Sequence, residues 1–226
     1  MGDMLRLRAA DGHELGAYRA APPGAPRGGI VVLQEIFGVN EHIRGVCDAF
    51  AAEGYVAIAP ALFDRFVRDF ESGYSPDEIA AALGYLKALD WDALMLDTRA
   101  AVERVREETQ SVSLVGFCLG GSLAFLAATR MPGLDAAVCY YGGMIAKFAD
   151  EAPLCPVMMH FGETDGSIPM SNVDTVRVKR PDAAIHLYPA GHGFNRGAPG
   201  TPDAAQAEIA WQRTLRFLAD ARGARV

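Results

Sequence analysis

The sequence predicts an α/β fold: a mostly parallel central sheet with an antiparallel N-terminal edge and helices on both faces, in a single domain over residues 1–226. Three observations carry that expectation. Short apolar runs without polar alternation, GIVVLQE and YVAIAPAL, read as strands covered on both faces. From residue 112 onward such runs alternate with helical patterns, the order that builds a parallel sheet. The chain has 226 residues, half of them hydrophobic, with no composition break and no internal repeat, so one substantial core is the economical reading.

Each element has a local reason. MLRLRA and HELGAYRA are strand-like and flank Asp11-Gly12, a hairpin turn signal. The loop APPGAPRGG leads into the buried strand GIVVLQE, and after the FGVN turn residues 41–53 read as a helix ended by Gly54. YVAIAPAL follows as a strand. Residues 63–75 mix charge and aromatics without a clean period and predict a loop or lid with one short helical turn. Ser75-Pro76-Asp77-Glu78 opens a helix, with proline in the first turn and acids beside it, and a second helix covers 91–108. The order then becomes strict: strand 112–115, helix 120–130, strands 135–140 and 156–161, helix 171–179, strand 184–188 and helix 203–221. In the last helix Ala204, Ala207, Trp211, Leu215 and Leu218 recur at helical spacing and predict the face turned to the sheet.

Composition excludes several classes of partner. The net charge is −7 with no basic stripe, which speaks against nucleic acid and anionic membranes. No apolar run approaches a membrane span, and the first residues lack the apolar core of a signal peptide. The four cysteines, Cys47, Cys118, Cys139 and Cys155, form no C-x-x-C pair. That pattern predicts neither a metal site nor a disulfide framework, and it suits a reducing, cytoplasmic setting.

Chemistry concentrates where predicted strands end, because ligands of open α/β sheets bind outside the carboxyl ends of the strands. Gly116-Phe117-Cys118-Leu119-Gly120 matches the strand-turn-helix elbow G-x-S-x-G with cysteine in place of serine. Asp165 follows strand 156–161 in HFGETDGSIP, with Glu163 its neighbouring rival, and His192 follows strand 184–188 in YPAGHGFNR. Nucleophile, acid, histidine is the chain order of a hydrolytic triad on this architecture. A thiol at a helix N-terminus is favoured as thiolate, His192 titrates in a useful range, and Asp165 would fix its tautomer. The backbone N–H of Leu119 is the first candidate oxyanion donor, and that of Ile36 a second. Glu35 closes a buried run, where a carboxylate is costly without a partner. GFCLGG lacks the lysine and hydroxyl of a phosphate loop. His160 reads as a satisfied core histidine, and His13, His42 and His186 as surface residues.

QEIFGVN (34–40), GFCLGG (116–121), YYGG (140–143) and AGHGFNR (190–196) together resemble the dienelactone hydrolase (carboxymethylenebutenolidase) family of α/β-hydrolases, over nearly the whole chain. The resemblance implies the α/β-hydrolase fold and a triad of Cys118, Asp165 and His192, with Glu35 contacting the resting thiol. It further implies Arg196 as a binder of substrate carboxylate, with Tyr141 and Phe37 lining the pocket, and no cofactor. The family's dienelactone-specific members carry a second arginine after the second parallel strand; SPDEIAAALGY has none, and Arg65 or Arg68 is the nearest substitute. The expected activity is hydrolysis of a small lactone or activated ester through an acyl-thioester. A non-catalytic ligand-binding homologue and a redox-active thiol protein are the alternatives.

Overall fold

The computed structural model describes residues 2–198 and 200–223. The chain divides into two compact units, one up to residue 112 and one from residue 113 on.

In the first unit β1 (Asp3–Arg8) and β2 (Glu14–Ala20) pair antiparallel, with Leu5 opposite Ala17. Their turn is the Asp11-Gly12 turn read from sequence. Gly12 sits at φ 86°, its N–H donates to the Ala9 carbonyl, and Asp11 Oδ1 accepts from the His13 N–H at 3.1 Å. β3 (Gly28–Leu33) and β4 (Tyr55–Pro60) are buried along their whole length and pair parallel, and β4 also pairs antiparallel with β2. The strand order is β1-β2-β4-β3. β3 ends at Leu33, before the predicted Gln34-Glu35, because Gln34 turns to tie two loops: its Nε2 donates to the Glu35 carbonyl and its Oε1 accepts from the Leu62 N–H.

Helix α1 (Glu41–Ala52) starts where Asn40 Oδ1 accepts from the Ile43 N–H, and it buries Ile43, Val46, Cys47 and Phe50. Helix α2 (Pro76–Tyr85) opens with the Ser75/Glu78 capping box, as its sequence predicts. Asp90 caps α3 (Trp91–Arg106). Between β4 and α2 the predicted short helical turn is a 3-10 turn, Leu62–Arg65. The remainder of this segment is tied down. Glu71 bridges Gly38, and Phe63, Phe66, Phe70 and Tyr85 form an aromatic cluster with centroids 5.1–6.1 Å apart.

In the second unit β5 (Val112–Phe117), β6 (Ala137–Tyr140), β7 (Val157–Gly162) and β8 (Ala184–Tyr188) run parallel in that order. Helices α4 (Leu119–Arg130), α6 (Met170–Lys179) and α7 (Pro202–Gly223) alternate with them, and one short helix, α5 (Ile145–Phe148), falls in a stretch the sequence left unassigned. α4 is buried from Leu119 to Ala128. α7 buries Ala210, Thr214 and Leu218 fully, and the other residues of the expected face, Ala204, Ala207, Trp211 and Leu215, are half-buried beside them. The face includes a threonine, which a count of apolar residues passes over.

Candidate active site

The sharpest local feature is the turn between β5 and α4. Cys118 sits at φ 52°, ψ −111°, a backbone conformation that costs about 1–3 kcal/mol for a residue with a side chain. Its surroundings enforce that conformation. A Cβ on Gly116 would overlap the Gly120 carbonyl, and one on Gly121 would overlap the Tyr140 carbonyl, so only glycine lets the crossing close. The Cys118 N–H donates to the Tyr140 carbonyl at 3.0 Å. The Cys118 carbonyl accepts from the Ser122 N–H at 3.1 Å and from Ser122 Oγ at 3.3 Å, while the same Oγ accepts from the Met144 N–H at 3.1 Å. Ser122 thus braces the turn, a role its place in GFCLGGS gave no reason to expect.

The turn leaves the Cys118 thiol half-buried at the first turn of α4, where the N–H groups of the opening residues have no helical partner. The N–H of Leu119 is the first of these. Cys47 and Cys139 are wholly buried instead, and burial pushes both thiols far above the ordinary range, so they are inert packing groups.

His192 brings the three candidate residues of this unit into one row. Its Nδ1 lies 2.8 Å from Asp165 Oδ2 and its Nε2 lies 3.2 Å from Cys118 Sγ. The other Asp165 oxygen accepts from the Ser167 N–H at 2.7 Å and the Ile168 N–H at 3.1 Å, so the carboxylate, with its side chain 0% exposed, is held from both ends. Glu163, the rival acid, is exposed. Burial alone would lower the pKa of His192. The hydrogen bonds and negative charge of Asp165 and Cys118 outweigh it and raise His192 to about 10. The Nε2 atom of this imidazole faces the sulfur.

Two further candidates flank this row. Tyr141 is buried at φ 38°, its ring 5.1 Å from that of His192. Arg196 closes the 3-10 turn Phe194–Arg196, and its guanidinium packs on the backbone of Gly193, beside His192.

The remaining candidates lie in the first unit. Glu35, Ile36 and Phe37 follow β3 and are all buried, and Phe37 packs edge-on against Tyr74 at 4.7 Å. Arg65 is already engaged. Its Nε and Nη2 each donate to Asp97 at 2.7 Å, and Nη1 donates to Asp11 at 2.9 Å. With Asp97 0% and Arg65 15% exposed at the side chain, the α3 end of this clamp is buried, while its Asp11 end at the hairpin turn is exposed. Arg68 is exposed and donates to the Glu14 carbonyl. His160 is the satisfied core histidine expected, whereas His13, His42 and His186 are half-buried and not the surface residues predicted. Among the described residues no group of histidine, cysteine or acidic side chains is arranged to hold a metal ion, and no helix is long and apolar enough to cross a membrane.

Comparisons with known proteins point one way. Residues 15–222 match the dienelactone hydrolase family. A carboxymethylenebutenolidase of Pseudomonas putida is 34% identical over 227 residues, 95% of each chain, and a Yersinia pestis protein named as a candidate for the same activity is 37% identical over 92% of this chain and 85% of its own. Among solved structures, a candidate dienelactone hydrolase from Klebsiella pneumoniae superposes with a TM-score of 0.82 at 29% identity, covering 97% of this chain and 99% of that one. The fold is the α/β-hydrolase fold, a mixed and mostly parallel sheet with helices on both sides. The chain belongs to the dienelactone hydrolase family and is a lactone or ester hydrolase.

Proposed function

We propose that this hydrolase works by covalent catalysis, with Cys118 as nucleophile, His192 as acid and then base, and Asp165 as the group that holds the imidazole. The observation that carries the reading is the position of His192, within hydrogen-bond reach of both the carboxylate and the thiol, which together raise its pKa. An imidazolium beside a sulfur favours the thiolate, the attacking form.

The thiolate adds to the substrate carbonyl, and the developing oxyanion is received by the Leu119 N–H, with the Ile36 N–H as the second donor that the family resemblance implies. Collapse breaks the carbonyl–oxygen bond of the lactone or ester. The leaving oxygen takes the His192 proton, and an acyl-thioester remains on Cys118. Neutral His192 then removes a proton from water. The resulting hydroxide adds to the thioester, and expulsion of the thiolate releases the acid product and restores the ion pair. Because thiolate is itself a good leaving group, the scheme suits activated substrates with a stabilised leaving oxygen and disfavours ordinary amides. No step requires a cofactor. By the resemblance, Arg196 receives a substrate carboxylate, Tyr141 and Phe37 line the pocket, and Glu35 tunes the resting thiol. Arg65, committed to Asp97 and Asp11, is left out of the substrate set.

The test compares wild type with Cys118→Ala on an activated aryl ester and on dienelactone, with mass spectrometry of the quenched reaction. The expected outcome is loss of turnover in the variant and an acyl adduct on the Cys118 peptide of the wild type. Equal turnover by the two proteins would remove Cys118 from the mechanism. Turnover of the aryl ester alone would keep the mechanism and move the substrate away from dienelactone.

A further inference from the structure

Beneath the row of Cys118, His192 and Asp165 lies a group of polar side chains for which the mechanism above has no use. Tyr140, His160, Tyr188 and Thr214 are each 0–1% exposed. They are mutually bonded: His160 Nδ1 meets Tyr188 Oη at 2.7 Å, His160 Nε2 meets Thr214 Oγ1 at 3.1 Å, and Thr214 Oγ1 meets Tyr140 Oη at 2.7 Å. Each comes from a different element, namely β6, β7, β8 and α7. Apolar residues could fill this space with no desolvation cost, whereas buried polar groups are tolerated only when bonded in correct geometry. Such bonds are directional, so strands linked through them are fixed in register more narrowly than apolar contact would fix them.

We propose that Thr214 and His160 are positioning residues for the proposed nucleophile and its acid–base partner, locking β6, β7 and β8 so that Cys118, Asp165 and His192 keep their spacing. The role rests on the reading of Cys118 as nucleophile. Its structural basis is that the main chain of the hub residues holds the site loops directly. The Tyr140 carbonyl accepts the Cys118 N–H at 3.0 Å, and the His160 carbonyl accepts the Tyr141 N–H at 2.8 Å. The Tyr188 carbonyl accepts from the Glu163 and Ala190 N–H groups, both at 2.8 Å, each two residues before Asp165 and His192 respectively. Phe194, two residues past His192, packs against Tyr188, Tyr141 and Tyr140 with centroids 5.0, 5.5 and 6.3 Å away. Every residue of the row is therefore one short step of backbone from a side chain in the hub. Thr214 is the closing piece, since its single hydroxyl joins two of the three strands to α7. The charged or titratable neighbours are Arg213, over the Tyr188 ring at 5.2 Å, and His186, stacked on His160 at 5.7 Å.

The experiment uses Thr214→Val, which keeps the shape and removes the hydroxyl, beside Thr214→Ser, which keeps the hydroxyl. The readouts are kcat and KM on an activated aryl ester, and the pH profile of Cys118 alkylation by iodoacetamide, located by mass spectrometry. A small misplacement of reacting groups is felt in the chemical step, so the valine variant should lose about tenfold or more in kcat with KM changed less than about twofold. Its alkylation profile should shift, and serine should restore both. If valine lowers the melting temperature yet leaves kcat and the alkylation profile as in wild type, the hub merely supports the fold and the proposal is wrong. Should Thr214→Val fail to fold, Tyr188→Phe removes one hub bond without changing shape and is judged by the same two readouts. A wild type that is not alkylated at Cys118, or turnover that survives Cys118→Ala, overturns the nucleophile reading, and the positioning role falls with it.

Discussion

At the residue scale, Cys118, Asp165 and His192 were legible because each falls just past a predicted strand, where this architecture exposes side chains. Two distances then join them through one imidazole. Asp165 should matter through His192 alone. In Asp165→Asn the amide can no longer stabilise an imidazolium, so the His192 pKa should fall from about 10 toward the ordinary histidine value. We expect kcat to drop about 10²–10⁴-fold, by analogy with the loss of the orienting acid in hydrolytic triads. NMR titration of the imidazole checks the first effect, and an unchanged titration would detach Asp165 from the site. Ser122 and Thr214 were not legible. A hydroxyl inside a helix carries no pattern of its own, and its worth depends on atoms more than twenty residues away in sequence.

At the element scale, the hairpin, the capping box of α2 and the alternation after residue 112 were read correctly, since each rests on local chemistry. The face of α7 was read only in its apolar part, because the helix docks through a hydrogen bond at Thr214 as well as through apolar contact. The segment after β4 was read as a loop or lid with one short helical turn, and the ion pair at its start gives it a fixed anchor. Arg65→Met would leave the Asp97 carboxylate buried without its cation, and breaking such a pair costs about 3–5 kcal/mol. We expect a lower urea midpoint for Arg65→Met, partial recovery in Arg65→Met/Asp97→Leu, and little change in KM at temperatures where both stay folded. A large rise in KM with unchanged stability would return Arg65 to the substrate.

For the whole molecule, His160 and His192 contribute opposite slopes of stability against pH. His192 is raised when folded, so its contribution is complete below about 6.5 and is lost as pH climbs through about 10. His160 is lowered well below 6.5, chiefly by burial with His186 and Arg213 adding to it, so its contribution is present above about 6.5 and is lost as pH falls. These two histidines lower the urea midpoint on either side of the ordinary histidine range, and the buried thiols Cys47 and Cys139 add to the alkaline fall. His192→Gln should flatten the alkaline side, and an alkaline slope unaltered by that change would refute the assignment. The strained backbone at Cys118 bears on the molecule as a whole too. Nothing in the cysteine itself prefers φ 52°; the glycine crossings and the Tyr140 carbonyl impose it. Once those neighbours part, the residue relaxes to an ordinary conformation and its sulfur leaves the imidazole. The proposed chemistry would then belong to the folded chain alone: a nascent or half-melted copy carries the same atoms without the row that Cys118, His192 and Asp165 form.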